Sequence, residues 1–364
     1  MRVVIHGGMH KTATSSIQVL FHECRDILRE HGIAYSDLGI PHHGPVLNVK
    51  NPNWDPRACG RLLAEARVAG AELLLLSSES VATLADADFR KIEACFPDVD
   101  LTFVFCVRHW NSFLPSRWSQ NCRRRDSQSF HQFVSTVSAP ASGHCDVWFD
   151  QIFTRAAAQG SHVLGVSYQN AIANGSGVVP AVLQACGLSN PLIARLVPQA
   201  VVRNRRIDWV TSELARLLNG AAADRLNVPQ DDFCAAVGRF EQSRISFRFA
   251  ARLGELDDDL RQTLRLAVEQ KRTDFEFTGF STLDDAYRKL LDQHGHRFTN
   301  LTAGDIFPDP VPSVVTAADI DWVAFRRDNT GAVDTAVTQL LRNGLSENPQ
   351  NRRARERLRR EAGG

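Results

Sequence analysis

The sequence predicts an α/β fold, a central parallel β-sheet flanked by helices with a helical C-terminal cap. Three observations predict it. Short continuous apolar runs such as "LLLLS" and "LTFVFCV" read as strands buried on both faces, the environment that parallel sheets provide. Segments with apolar residues at helical spacing stand between these runs, which implies crossover helices packed on the sheet. Beyond Leu192 the strand-like runs give way to charged amphipathic segments.

Taken in order, residues 2–6 form a β-branched run and give the first strand. Residues 15–31 carry Ile17, Leu20, Phe21, Cys24, Ile27 and Leu28 at helical spacing and stop at Gly32, so they read as one helix. Residues 41–53 are a loop rich in Pro, His and Asn, followed by a helix over about 55–68. "AELLLLSSES" supplies the next buried strand, and a helix near 86–95 leads to the strand in "DLTFVFCVRHW". A helix around 149–158 precedes a further strand, "SHVLGVSY". Later, 206–218, 231–240, 256–271 and 283–294 read as amphipathic helices. These readings give an α/β core over 1–190, a helical portion of the same domain over 191–310, and a C-terminal extension over 311–364. The extension ends in an arginine-rich tail, "NPQNRRARERLRREAGG", read as a solvated terminal helix or as a polyanion-binding arm.

Composition narrows the function. A chain of 364 residues that is 43% hydrophobic can bury a substantial core. Its formal net charge of +1 gives no overall basis for binding nucleic acid or a membrane surface, so an anion site must be a local arrangement. The eight cysteines include no C-x-x-C pair, which argues against a zinc site or a disulfide framework and for reduced thiols. With no leader-like segment and no apolar run long enough to span a bilayer, a cytoplasmic protein is expected.

The most informative stretch is "VVIHGGMHKTATSSIQVLF", Val3 to Phe21: strand, two glycines, a lysine, hydroxyls, then a helical pattern. Backbone N–H groups at a helix N-terminus lack partners and carry the positive end of the helix dipole, so this outline suits an anion. The triphosphate-binding pattern G-x-x-x-x-G-K-[ST] fails, because His10 and not glycine precedes Lys11. A second signal lies in "FVFCVRHWNSFLPSRW", where Arg108 ends a buried strand and Ser116 follows at R-x7-S spacing; an arginine fork and a hydroxyl are apt for a second anion.

Together these residues resemble the sulfotransferase family that uses 3′-phosphoadenosine 5′-phosphosulfate, in its bacterial and carbohydrate-type branch. There the 5′-phosphosulfate loop commonly looks like H-x-G-x-x-K-T-G-T-T-x-L-Q. "HGGMHKTATSSIQ" matches at His6, Gly8, Lys11, Thr12, Thr14 and Gln18; Ala13 stands for the glycine and Ser15 for a threonine. The alanine matters if its position requires φ > 0 and not if the residue is already helical. Arg108 and Ser116 match the family's 3′-phosphate site. "LLLLSSES" resembles the strand that ends in the catalytic base, with Glu79 at about that place, and "VLGVSYQNAI" resembles the later strand whose tyrosine, here Tyr168, lies near the nucleotide or in the core.

The resemblance implies a P-loop NTPase-like sheet and in-line transfer of a sulfuryl group to a hydroxyl or amine. Lys11 would face the leaving phosphate, and Gly8, Lys11, Thr12, Ala13, Thr14, Ser15 and Ser16 would hold the 5′-phosphate through backbone N–H groups and hydroxyls. Adenosine 3′,5′-bisphosphate would be the product, and no metal is required. Glu79 is the preferred base, with His42 and His43 of "PHHGP" in reserve; as an alternative, Glu79 is a carboxylate stabilising a helix start. Trp110, Trp118 and Trp148 are candidates for stacking on adenine or sugar, or are core. The acceptor, a small molecule or a glycan or lipid, is not legible, nor is the oligomeric state; no nucleic-acid partner and no membrane span are expected. The competing functions are a P-loop kinase or nucleotide hydrolase and a catalytically inactive nucleotide- or glycan-binding module.

Overall fold

The computed structural model describes residues 1–124, 126–139, 147–201, 207–226, 247–278, 281–301, 312–318 and 320–344. The first half runs β1 (Arg2–His6), α1 (Thr14–Glu23), α2 (Arg25–Glu30), β2 (Ile33–Ala34), α3 (Gly44–Leu47), α4 (Arg57–Val68), β3 (Leu73–Ser77), α5 (Asp86–Ala94), β4 (Asp100–Val107), α6 (Trp110–Arg124), α7 (Phe130–Val137), α8 (Phe149–Ala157) and β5 (His162–Ser167). Then follow α9 (Tyr168–Ala173), α10 (Val178–Ala185), α11 (Asn190–Leu196), α12 (Trp209–Arg225), α13 (Phe249–Arg252), α14 (Asp258–Glu269), β6 (Arg272–Phe277), α15 (Ser281–His294), β7 (Ser313–Ala318), α16 (Trp322–Asp328) and α17 (Thr330–Gly344).

The five strands β1 to β5 form one parallel sheet in the order β2-β3-β1-β4-β5. All five residues of β3 are buried, as are Phe103 to Val107 of β4, which is why these strands appear in the sequence as unbroken apolar runs. The chain leaves β1 toward β3 on one side and later crosses to β4 on the other. The carboxyl ends of β1 and β4 therefore flank a topological switch point, where open parallel sheets bind ligands.

The expected single helix over 15–31 is two helices. Cys24 leaves helical geometry at φ −100°, ψ 16°, and α2 starts after it. Cys24 and Leu28 nevertheless pack in the same core as Leu20 and Phe21, so the apolar period runs through the break and conceals it. The chain sorts into two compact units: one holds 1–110, 144–205 and 279–311, the other 111–143, 206–278 and 312–364. In the first, Val4, Leu75, Val104 and Val166 of the sheet pack with α1, α10 and α11, while α15 returns against α8. In the second, α12 is central and buries Leu214, Leu217, Leu218 and Ala221 among side chains from α14, α16 and α17.

The second unit is not helical throughout. β6 and β7 form an antiparallel pair that the sequence conceals, because "RTDFEF" alternates with charges and is largely exposed. The expected helix over 231–240, the arginine-rich tail after 344, Cys145 and Cys234 lie outside the described residues. Among the described residues no helix is long and apolar enough to cross a membrane.

Candidate functional site

The loop that follows β1 is closed and strained. Gly7 continues the sheet register, its N–H donating to Val104 O at 2.9 Å. A Cβ on Gly7 would stand 2.3 Å from the Phe105 ring and one on Gly8 would stand 2.4 Å from Thr14 Cγ2, so both glycines answer to close approach. Lys11 and Ala13 both adopt the left-handed conformation, at φ 64° and 63°. Each such turn costs a non-glycine residue about 1–2 kcal/mol, so position 13 is one where glycine would have a physical reason and alanine bears strain.

The hydroxyls of Thr12 and Thr14 donate to Met9 O at 2.6 and 3.1 Å, and both residues are buried. Sequence reasoning gave these hydroxyls to the 5′-phosphate. In the structure both hydroxyls donate to the Met9 carbonyl and hold the loop shut. Ala13 is the N-cap of α1 and makes no side-chain cap; the Ser16 and Ile17 N–H groups turn back to Ala13 O at 2.9 and 3.1 Å. Lys11, Ala13 and Ser15 lie half-exposed on the outer side of the loop, while Ser16 is buried.

The second motif meets the first. Arg108 leaves the end of β4 and its Nη1 donates to Lys11 O at 2.9 Å, bracing one of the two left-handed residues. Its guanidinium lies 4.6 Å from the centre of the Tyr168 ring, a cation–π contact that places the tyrosine at the loop. Ser116 lies farther along α6, on the part of that helix belonging to the second unit. Trp110 and Trp118 are core: they are 0% and 3% exposed, and their indole N–H groups donate to Leu283 O and Gln128 O, both at 2.9 Å.

Glu79 opens the 3₁₀ turn that follows β3, which is where its alternative reading as a carboxylate at a helix start puts it. His6 pairs with Ser77 across the β1–β3 ladder, and the chain segments beyond them emerge side by side. His10 of the loop accordingly meets Glu79, with Nδ1 2.9 Å from Oε2. Beneath them His6 is fully buried, its Nδ1 2.9 Å from Ser77 Oγ; burial pushes its pKa down to about 4, opposed by the Glu79 charge.

His43, expected in a loop rich in Pro, His and Asn, is 1% exposed. Its Nδ1 accepts from Ser77 N–H at 3.1 Å, its Nε2 donates to Ser36 O at 3.2 Å, and the Tyr35 ring stands against it edge-on at 4.6 Å. Burial holds it down to about 4, so it is a neutral strut with its acceptor nitrogen committed, which argues against its use as the base. His42 Nδ1 accepts from Gly44 N–H at 3.0 Å.

Sequence reasoning missed a third group beside Arg108. His109 is 4% exposed, takes Gln169 Oε1 on its backbone N–H at 3.1 Å, and has Nε2 3.7 Å from Asp284 Oδ1. No local signal links residues so distant in the chain. Comparison of the chain with family models, with curated proteins and with solved structures gives no match. The functional reading therefore rests on the geometry: an uncapped helix start, a lysine and an arginine at a switch point, and a carboxylate–imidazole pair beside them.

Proposed function

We propose that the chain is a sulfotransferase that moves a sulfuryl group from 3′-phosphoadenosine 5′-phosphosulfate to an acceptor hydroxyl or amine. The observation that carries this reading is the contact between Arg108 and the Lys11 carbonyl, because it unites at one strand crossing two motifs 97 residues apart. In this reading the backbone N–H groups at the start of α1 receive the 5′-phosphate, and the Lys11 ammonium neutralises the charge that develops on the leaving oxygen. Arg108 receives the 3′-phosphate on its guanidinium fork, with Tyr168 beside the nucleotide, and Glu79, close to His10, takes the acceptor's proton. Sulfuryl transfer resembles phosphoryl transfer in demanding positioning and charge stabilisation more than covalent help from the protein. The likeness to a P-loop NTPase-like sheet is part of the same proposal.

Calorimetric titration with adenosine 3′,5′-bisphosphate, adenosine 5′-monophosphate, ATP and GTP tests it. The bisphosphate should bind more tightly than the monophosphate by on the order of 2–4 kcal/mol, the value of two charge-assisted contacts. At a hundredfold excess over its Kd it should stabilise the fold by about 2.7 kcal/mol in a thermal-shift experiment. Equal affinity for the bisphosphate and monophosphate, or a preference for ATP or GTP, would overturn the reading.

A further inference from the structure

Within the second unit, a groove of about 560 Å³ separates the entry and outer face of α7 from the start of α16. That volume falls in the range of ligand clefts, about 300–1,000 Å³. One buried side chain ties the two walls together. The Arg216 guanidinium donates from Nη1 to Ser127 O at 3.0 Å on the α7 side and from Nη2 to Ile320 O at 2.7 Å, just before α16. The spacing of the walls is therefore set from the core and not by exposed side chains.

The α16 wall carries an aromatic platform. Trp322 is part-buried and seated on Gly220 of α12, where a Cβ would stand 2.2 Å from its Cγ and 2.4 Å from its Cδ2. Only glycine leaves room for the indole there, so a poor helix former inside α12 is explained by the place it gives the ring. Val323 is 56% exposed and extends the apolar surface. Asp321 lines the groove beside them, its Oδ1 accepting from Ala324 N–H at 2.8 Å as the N-cap of α16.

The α7 wall is notable for the charges it lacks. The outer face of an amphipathic helix ordinarily carries them, yet "FHQFVSTV" has no Lys, Arg, Asp or Glu. Phe130, Phe133, Val134 and Val137 are buried, while Gln132, Ser135 and Thr136 line the groove. Gln132 Oε1 accepts from Ser129 N–H at 2.8 Å, and the Thr136 hydroxyl donates to Gln132 O at 2.8 Å. What these two side chains present to a ligand is the complement, an amide donor and a hydroxyl acceptor. Apart from His131, Asp321 is the only ionisable side chain of the lining, so the groove has no lysine or arginine to match an anion.

We infer that this groove binds a neutral saccharide. A sugar ring has an apolar C–H face and a rim of hydroxyls that both donate and accept. The indole takes the face, and the amide, hydroxyl and carboxylate groups take the rim. The site lies wholly within the second unit and does not depend on the sulfuryl-transfer reading.

A glycan array probed with the full chain tests it, with cellotetraose, maltotetraose and chitotetraose among the neutral glycans and heparin tetrasaccharide among the anionic ones. Neutral glycans should bind and heparin tetrasaccharide should not. Calorimetry with the best neutral glycan then reads two variants. Trp322→Ala should weaken binding about tenfold or more, as loss of an aromatic anchor does. Asp321→Asn keeps a cap oxygen for Ala324 N–H, so the start of α16 survives, and should weaken binding about tenfold through the lost charge-assisted bond. Saturating glycan should shift tryptophan emission in the unmodified protein but not in Trp322→Phe, which keeps a ring over Gly220 and so separates contact from unfolding. Failure of every neutral glycan to bind, binding confined to anionic glycans, or an emission shift that persists in Trp322→Phe would each overturn the inference.

Discussion

The loop after β1 and the middle of α12 both hold groups that a chain does not place lightly, and they do so to opposite ends. In α12 the Glu213 and Arg216 side chains are 0% exposed. The guanidinium donates from Nε to Glu213 Oε2 at 2.6 Å, from Nη1 to Ser127 O at 3.0 Å, and from Nη2 to Ala318 O and Ile320 O at 3.2 and 2.7 Å. These donors meet the fold's own groups, so this buried charge is architecture. In the loop the strain at Lys11 and Ala13 leaves an ammonium-bearing residue and an uncapped helix start on the outer side, at the sheet's switch point. Backbone strain of this kind clusters at functional sites, whereas a buried guanidinium whose donors all meet carbonyls and a carboxylate serves the fold.

The largest effect that would break this comparison is expected at Arg216. Arg216→Met strands the Glu213 carboxylate in the core and should cost about 3–5 kcal/mol. Replacing both partners by apolar residues should not restore full stability, because the carbonyls of Ser127 and Ile320 would still lack the guanidinium donor. Amide hydrogen exchange should show faster opening of α12 with bisphosphate affinity unchanged. A loss of affinity without a loss of protection would move this centre from architecture to site.

Counted per group, acid should act next most strongly, on the first unit. His6 and His43 are held by burial at about 4, against an ordinary value near 6.5, so the unfolded chain binds protons that the folded one refuses. Their contribution is complete above about pH 6.5 and is lost as the pH falls toward 4, at about 3 kcal/mol for each imidazole. Denaturant unfolding followed between these pH values should give a steep slope that His43→Gln flattens. An unchanged slope would mean that His43 is not the buried neutral strut.

Much of the fold was legible in the sequence, and the reason is burial. β1, β3, β4 and β5 are covered on both faces and so appear as unbroken apolar runs. β6 was hidden by its exposure, and the break at Cys24 by an apolar period that continues through it. At the site, Lys11 and Arg108 were visible as motifs because each sits at the end of a readable strand. The partner of Glu79 was not, since it depends on the register that sets His6 beside Ser77 and so brings residues 10 and 79 together. His109 with Asp284 is hidden for the same reason, as contacts between distant segments leave no local period.

The smallest effect is the most discriminating, because one substitution should have opposite signs at two places. Ala13 sits at φ 63°, where a Cβ costs about 1–2 kcal/mol, while glycine at that position adds roughly 0.4–1 kcal/mol of unfolded-chain entropy. Ala13→Gly should therefore stabilise the protein by about 0.5–1 kcal/mol. Ala64 is exposed within α4, where the same change removes a good helix former and should destabilise by about 0.5–1 kcal/mol. Paired denaturant melts of the two variants compare strain at the loop with ordinary helix propensity in one protein. If both lower stability, the turn at position 13 stores no strain, and the contrast between the strained loop and the buried Arg216 centre loses its energetic basis.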